Sequence, residues 1–300
     1  MDAKNYFDYL LSLEGRYLLT ANQRKDLISY QNGIDGESYF KAFLNNFSQL
    51  SYLNDFEFGS NNHVQIDFLV ATTNKLVIFE IKHYSDEWYF ENDVLKNRYG
   101  IEVKSPLLQL QRHQHELQQL LYSCGHHLEI EGYIVFTNPH FIPSSSWPHH
   151  NSLILFHELH QLSPILSMKT SQQTLDILNV LTLQSKRHST YYQKEIITHF
   201  DLNMAGLRCP HCRKFHTIKI INKKKFITCS HCHTQTKTEK LILLNLKELL
   251  ILKRSPFTLK EAIKWCYPVN EHTIRRVCNK YFQSDTNRNQ RFYLDGNKSD

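Results

Sequence analysis

The sequence predicts a mixed α/β protein with two small modules at its C-terminal end. Three observations carry this reading. Between residues 37 and 183, segments of helical period and segments of two-residue alternation follow one another as helix, strands, helix, strand, helix. Two Cys-x-x-Cys pairs then fall within one short stretch, and two short apolar stripes at helical spacing follow them. With 9 Gly, 8 Pro and 12% aromatic residues in 300, collagen-like and disordered classes are excluded. The length suits two or three domains, read as residues 1–190, 205–238 and 239–300, with a polar stretch at 184–207 as the boundary.

In chain order, Tyr6, Leu10, Leu11, Tyr17, Leu18 and Leu27 predict one or two amphipathic helices. Gly33-Ile34-Asp35-Gly36 reads as a turn-rich hinge. Glu37 then opens the first turn of a helix patterned by Tyr39, Phe40, Phe43, Leu44 and Phe47. Residues 64–72 and 75–83 alternate as strands joined by Thr73-Asn74, short enough for a hairpin. A further hairpin at 88–103, a Gln-rich helix at 107–122 and a buried strand at 132–136 come next. A loop at 141–150, a short strand at 152–156 and a helix at 171–183 close the unit. The apolar run at 241–252 is broken by Asn245, Lys247 and Glu248 and falls short of the roughly 20 residues a membrane span needs, so it is a core helix. The opening MDAKNYFDYL has no signal-peptide pattern, and a cytoplasmic protein without membrane contact is expected.

Charge is unevenly divided. Residues 1–199 hold 15 Lys+Arg against 21 Asp+Glu, whereas residues 200–300 hold 20 against 8. A basic excess confined to one third of the chain attracts polyanions, with DNA as the expected partner and RNA not excluded.

Three groups of residues carry chemistry. In the strand at 75–83, Glu80 and Lys82 share one face while Phe79 and Ile81 take the other; on the preceding strand Gln65 and Asp67 share a face. Charges inside a sheet are costly unless paired or bound to a metal. Two carboxylates and a lysine meeting across neighbouring strands suit metal-assisted phosphodiester hydrolysis. Asp67 and Glu80 would hold Mg²⁺ (or Mn²⁺), the Ile81 carbonyl would add a ligand, and Lys82 would orient water or offset charge on the phosphate. Glu37 would position a second ion or its water. The plainer reading of Glu80 and Lys82 is a solvent-facing ion pair. Gln109, His113 and Leu117 share one helix face, reaching either the cleft or the sheet.

Gly33-Ile34-Asp35-Gly36-Glu37, Gln65-Ile66-Asp67, Phe79-Glu80-Ile81-Lys82-His83-Tyr84 with Trp88, Pro106-Leu107-Leu108-Gln109 and Ile134-Val135-Phe136-Thr137 occur in this order. The series resembles the nuclease-related domain (NERD) family of the PD-(D/E)XK nuclease superfamily. That resemblance implies a restriction-endonuclease-like mixed sheet flanked by helices. Its active-site set would be Glu37, Asp67, Glu80 and Lys82, with Gln65 and Gln109 in support. Ser85-Asp86 departs from the small residue and Gly that often follow in the family, which bears on the turn and not on the chemistry.

The second group is Cys209, Cys212, Cys229 and Cys232, two Cys-x-x-Cys pairs with 16 residues between them, the signature of a four-thiolate zinc site. Residues 217–221 and 226–229 alternate as two strands around Asn222-Lys223-Lys224-Lys225, so a small four-cysteine zinc ribbon holding structural Zn²⁺ is expected, with the three lysines at its tip touching phosphate. The third group lies on two short helices after Thr258 and Asn270, a helix-turn-helix or winged-helix-like module with residues 283–290 and 291–294 as its wing. The second helix exposes His272, Arg275, Arg276, Asn279 and Lys280, residue types that reach phosphates and base edges.

Together these features predict a metal-dependent DNA nuclease targeted to nucleic acid by its basic tail. The alternative is a non-catalytic DNA-binding or regulatory protein on a nuclease-fold scaffold. A weaker third reading is a partner-docking subunit.

Overall fold

Two helices, α1 (Ala3–Leu13) and α2 (Ala21–Leu44), open the chain in a computed structural model that describes residues 3–59, 63–91, 94–144, 147, 150–185, 200–221, 224–285 and 291–293. The expected hinge at Gly33–Gly36 is not formed, and α2 runs through it. Neither glycine has a positive φ. Gly36 instead serves close approach, since a Cβ there would lie 2.9 Å from His83 Cβ and 3.0 Å from Thr137 Oγ1.

By its internal contacts the chain divides into two units, Ile28–His188 and a discontinuous one made of Met1–Leu27 with Ser189–Asp300. In the first, β1 (Ser51–Phe58), β2 (Val64–Ala71) and β3 (Lys75–Lys82) form an antiparallel meander, and β2 and β3 are the expected hairpin. Strand β1 is not legible as one in the sequence, because Asn54-Asp55 breaks its alternation and Asp55 takes a left-handed φ of 52°. A second sheet holds β4 (Asp86–Glu91), β5 (Val94–Asn97) and β6 (Glu102–Lys104). Helix α3 (Pro106–Ser123) then crosses over to β7 (Glu129–Phe136), which pairs parallel with β3. In the segment expected to be loop, β8 (Phe141–Pro143) pairs with β4; β9 (Leu153–Ile154), within the strand expected at 152–156, completes the larger sheet in the order β1-β2-β3-β7-β9. Helices α4 (Ser163–Leu166) and α5 (Gln172–Gln184) follow, the latter capped by Ser171.

Alternation divides β3 between two cores. Val77, Phe79 and Ile81 pack with Phe40 and Leu44 of α2, while Leu76 and Ile78 pack with Leu110 and Leu117 of α3 and Ile177 of α5. Glu80 and Lys82 continue the second face to the C-terminal end of β3.

In the discontinuous unit, β10 (Phe226–Thr228) pairs with β11 (Gln235–Lys237). The expected partnership of residues 217–221 with this strand reduces to one bridge, Ile218 to Cys229. Helices α6 (Thr238–Lys253), α7 (Leu259–Trp265) and α8 (Glu271–Tyr281) enclose a core with a sheet ordered β12 (Phe257–Thr258), β14 (Arg291–Tyr293), β13 (Gln283–Ser284). Thr258 caps α7, and Asn270, which the sequence offers as the cap of the second helix, caps α8. The sequence reading groups α1 with residues 1–190, but Tyr6, Tyr9, Leu10 and Leu13 pack in this second core. Arg208 fixes that docking: its guanidinium donates to the carbonyls of Leu11 and Glu14 at the end of α1, at 2.8 Å each, and to Glu248. Among the described residues no helix is long and apolar enough to cross a membrane.

Candidate active site

The β2–β3 ladder stops at Phe68 opposite Phe79, so the next pair in register, Asp67 opposite Glu80, lies where the strands part. Asp67 Oδ2 accepts the Ile81 N–H at 2.7 Å, a carboxylate replacing a ladder carbonyl. Glu80 is 1% exposed, and its oxygens have separate partners. Oε2 accepts from Gln109 Nε2 at 2.9 Å and lies 3.8 Å from Lys82 Nζ, while Oε1 lies 2.5 Å from His113 Nδ1. Lys82 Nζ donates to Gln109 Oε1 at 3.0 Å, so one amide bridges the carboxylate and the ammonium. Glycine sets this reach. A Cβ on Gly132 would meet Leu110 Cδ1 at 2.7 Å, so its absence lets α3 lie close against β7.

Electrostatics bind the group together. Burial drives the Asp67 carboxyl well above the usual carboxylate range, and the charge of Glu80 adds to the rise; Lys82 and the Ile81 N–H oppose it. Burial also raises Glu37 to about 7, with Asp55 adding to the shift and Lys82 opposing it. For Lys82 burial works against the charge, but Glu80, Tyr84 and Asp67 outweigh it and hold the ammonium above its ordinary value. Burial and neighbouring carboxylates thus disfavour ionisation of Asp67 and Glu37, a penalty that a divalent cation relieves.

Asp67, Glu80, Lys82 and Gln109 thus come together, and Glu37 is within electrostatic reach. Gln65 is not hydrogen-bonded to the group among the described residues. Ile66 and Leu69, three apart, pack into the same core, so strict alternation slips at Asp67 and removes the face Gln65 is expected to share with it. His113 is the member that the sequence leaves undecided; its four-residue step from Gln109 is the available signal. The donors suit a hard cation bound by two carboxylates. Glu37 is not a third ligand within one ion's span, because among the described residues only the four cysteines bring three or more ligand atoms within 4.8 Å of one another.

In that cysteine cluster Cys209 Sγ lies 3.7 Å from Cys232 Sγ, and Cys212 Sγ 3.7 Å from Cys229 Sγ. A tetrahedral ZnS₄ centre with Zn–S near 2.3 Å requires about 3.8 Å between sulfurs, so the site fits zinc, and the sulfurs are too far apart for disulfides. The two knuckles repeat one geometry. Arg213 and His233, each following the second cysteine of its pair, take φ of 58°, and their N–H groups return to Cys209 O and Cys229 O.

On α8, His272, Arg275, Arg276, Asn279 and Lys280 are exposed, but Arg275 pairs with Glu271 and Lys280 with Glu239. Lys224 and Lys225 lie beside α6, and Lys223 falls outside the described residues.

The mixed sheet thus collects two acids and a lysine where two of its strands diverge. Residues 32–137 match the family described as nuclease-related domain, NERD, and the chain carries that domain. The match spans Glu37, Asp67, Glu80, Lys82, Gln109 and His113, and it implies a nuclease-related function with nucleic acid as the general substrate class. No curated protein and no solved structure matches the chain.

Proposed function

We propose that the protein is a metal-dependent deoxyribonuclease that hydrolyses phosphodiester bonds. The observation that carries this reading is the junction of Asp67, Glu80 and Lys82 at the parting of β2 and β3, tied by Gln109. Asp67 and Glu80 would hold Mg²⁺ or Mn²⁺. Bound there, such an ion supplies Lewis-acid polarisation of a phosphate oxygen. Lys82 offsets the negative charge that gathers on the phosphate in the transition state, and Gln109 keeps its ammonium aimed. Glu37, with a carboxyl near 7, is suited to hold a proton taken from the attacking water at neutral pH.

The tail is read as a structural zinc ribbon joined to a winged-helix-like DNA-binding module. The chain order α6-β12-α7-α8-β13-β14, with β14 central in its sheet, supports that reading, as does the cationic surface of α8. One observation favours the alternative of a nuclease scaffold that binds DNA without cutting it: both Glu80 oxygens already have protein donors.

Circular single- and double-stranded DNA, incubated with the protein in Mg²⁺ or with no added divalent ion, separates the two readings. Mg²⁺-dependent cleavage that disappears in Lys82→Ala and Asp67→Asn, with folding and DNA affinity kept, supports hydrolysis. Cleavage that survives both substitutions overturns the assignment of these residues. Intact DNA beside undiminished binding establishes the scaffold reading.

A further inference from the structure

A groove of about 570 Å³ lies within the discontinuous unit, between the zinc-ribbon hairpin and the first turns of α6 and α8. Its charge is one-sided. Lys224 and Lys225 come from the ribbon, Lys237 from the start of α6 and Arg276 from α8, against a single carboxylate, Glu239. That carboxylate is already engaged by Lys280 Nζ at 2.5 Å and Tyr281 Oη at 2.6 Å. None of the four lining cations has an ion pair among the described residues, and Glu239 reaches only Arg276 through its field, so the groove keeps a net positive charge.

The N-terminal end of α6 adds to this field, whereas that of α8 is capped by Asn270. No side chain caps the first turn of α6, whose leading residues Thr238 and Glu239 line the groove. The positive end of the α6 dipole therefore opens on the groove, although the first N–H, that of Thr238, is already given to the Lys225 carbonyl. Thr238 also fixes the ribbon to the helix, through N–H to Lys225 O at 2.9 Å and Oγ1 to Lys224 O at 2.7 Å. Cations from three elements are thus held on one frame rather than on independent loops.

The apolar lining indicates which anion fits. Ile220, Ile221 and Val269 provide an aliphatic surface suited to a sugar face, and no lining residue is aromatic, so nothing offers a stacking platform for a base. The space exceeds one phosphate, and its cations come from the ribbon, the start of α6 and α8. We propose that this groove is a phosphodiester-binding site, in which the backbone of a nucleic-acid strand runs between the ribbon lysines and the N-terminal ends of α6 and α8. The proposal rests on the reading of the tail as a nucleic-acid-binding module and deepens it: the ribbon becomes a backbone clamp beside α8, not only a spacer.

The test uses the full chain carrying Lys82→Ala, so that bound DNA stays uncut, and fluorescein-labelled duplex and single strand of one sequence, by anisotropy across a salt series. Removing two phosphate contacts with Lys224→Ala/Lys237→Ala should weaken binding by about tenfold per lysine at low salt. It should also reduce the slope of log K against log [salt] by about 0.9 per contact for duplex and about 0.7 for single strand. Arg276→Gln should act likewise. Lys260→Ala/Lys264→Ala removes the same charge from positions outside the groove and should have a clearly smaller effect. A larger loss on duplex identifies a double-stranded ligand, and a larger loss on single strand a single-stranded one. Groove and control variants with matching slopes would overturn the groove while leaving the tail reading intact. Absence of wild-type binding to either probe at the lowest salt would overturn both.

Discussion

Glu80 has a carboxylate almost sealed from water, with His113, Gln109 and Lys82 around it, and the balance among them sets its behaviour. Removing His113 strands Oε1, and an unsatisfied buried acceptor costs about 1–3 kcal/mol. His113→Ala should therefore lower stability by that amount in urea denaturation, with His113→Gln recovering part of it. An unchanged midpoint would mean that the His113 contact carries no stability. Glu37 gives a pH signature. Its carboxyl is raised from 4.5 to about 7, so the folded state holds the proton more tightly than the unfolded one. The associated stability is complete below 4.5 and lost as pH climbs to about 7. The full shift corresponds to about 3 kcal/mol, which partial exposure and screening reduce to roughly 1–2 kcal/mol. Asp67 shifts in the same direction. With no added divalent ion, Glu37→Gln should flatten the decline in unfolding free energy between about pH 4.5 and 7.5. Parallel wild-type and variant curves would show that the Glu37 carboxyl titrates normally.

At the scale of elements, α2 and α3 hold the site because each carries or meets a glycine at its closest approach to the sheet. In Gly36→Ala, helix propensity favours alanine by about 1 kcal/mol. Sterics oppose it, since His83 Cβ, Thr137 Oγ1 and Ile81 Cγ2 lie 2.9–3.2 Å from the added atom and belong to packed strand ends. Overpacking of this kind costs about 1–3 kcal/mol. The variant should be less stable in thermal melts; a stability gain would show that α2 yields freely. This also explains what is legible. The strands β2 and β3 and the helix α3 carry their period in their own residues, and the helices α5, α7 and α8 carry caps as well. The Gly33–Gly36 segment looks like a hinge because the glycine requirement there comes from a neighbouring strand, which local pattern does not contain. The Asp67, Glu80, Lys82 and Gln109 set is readable from alternation and motif. The loss of Gln65 is not, because the slip at Asp67 depends on how β1 and β2 bend together.

Across the whole molecule, the change of charge near residue 200 marks the C-terminal module, yet it does not reveal that α1 belongs with it. Tyr6, Leu10 and Leu13 announce a buried face without naming what covers it. The answer lies in arginines beside the cysteines. Arg208 precedes Cys209 and Arg213 follows Cys212, and both donate to the Leu11 carbonyl at the end of α1. Arg16, stacked on Trp265, returns to Met204 O and Gly206 O from the other side. The first knuckle and α1 therefore share hydrogen bonds, and metal that orders one should order the other. Cys212→Ser/Cys232→Ser removes two thiolates without a chelator, which would also strip divalent ions from the carboxylate cluster. Hydrogen exchange read by mass spectrometry should then show faster exchange in α1, remote in sequence from Cys232, as well as in the ribbon, while β2, β3 and β7 keep their protection. Loss confined to the ribbon would mean that α1 is held by the α6–α8 core alone, and uniform loss would mean that the two units do not unfold independently.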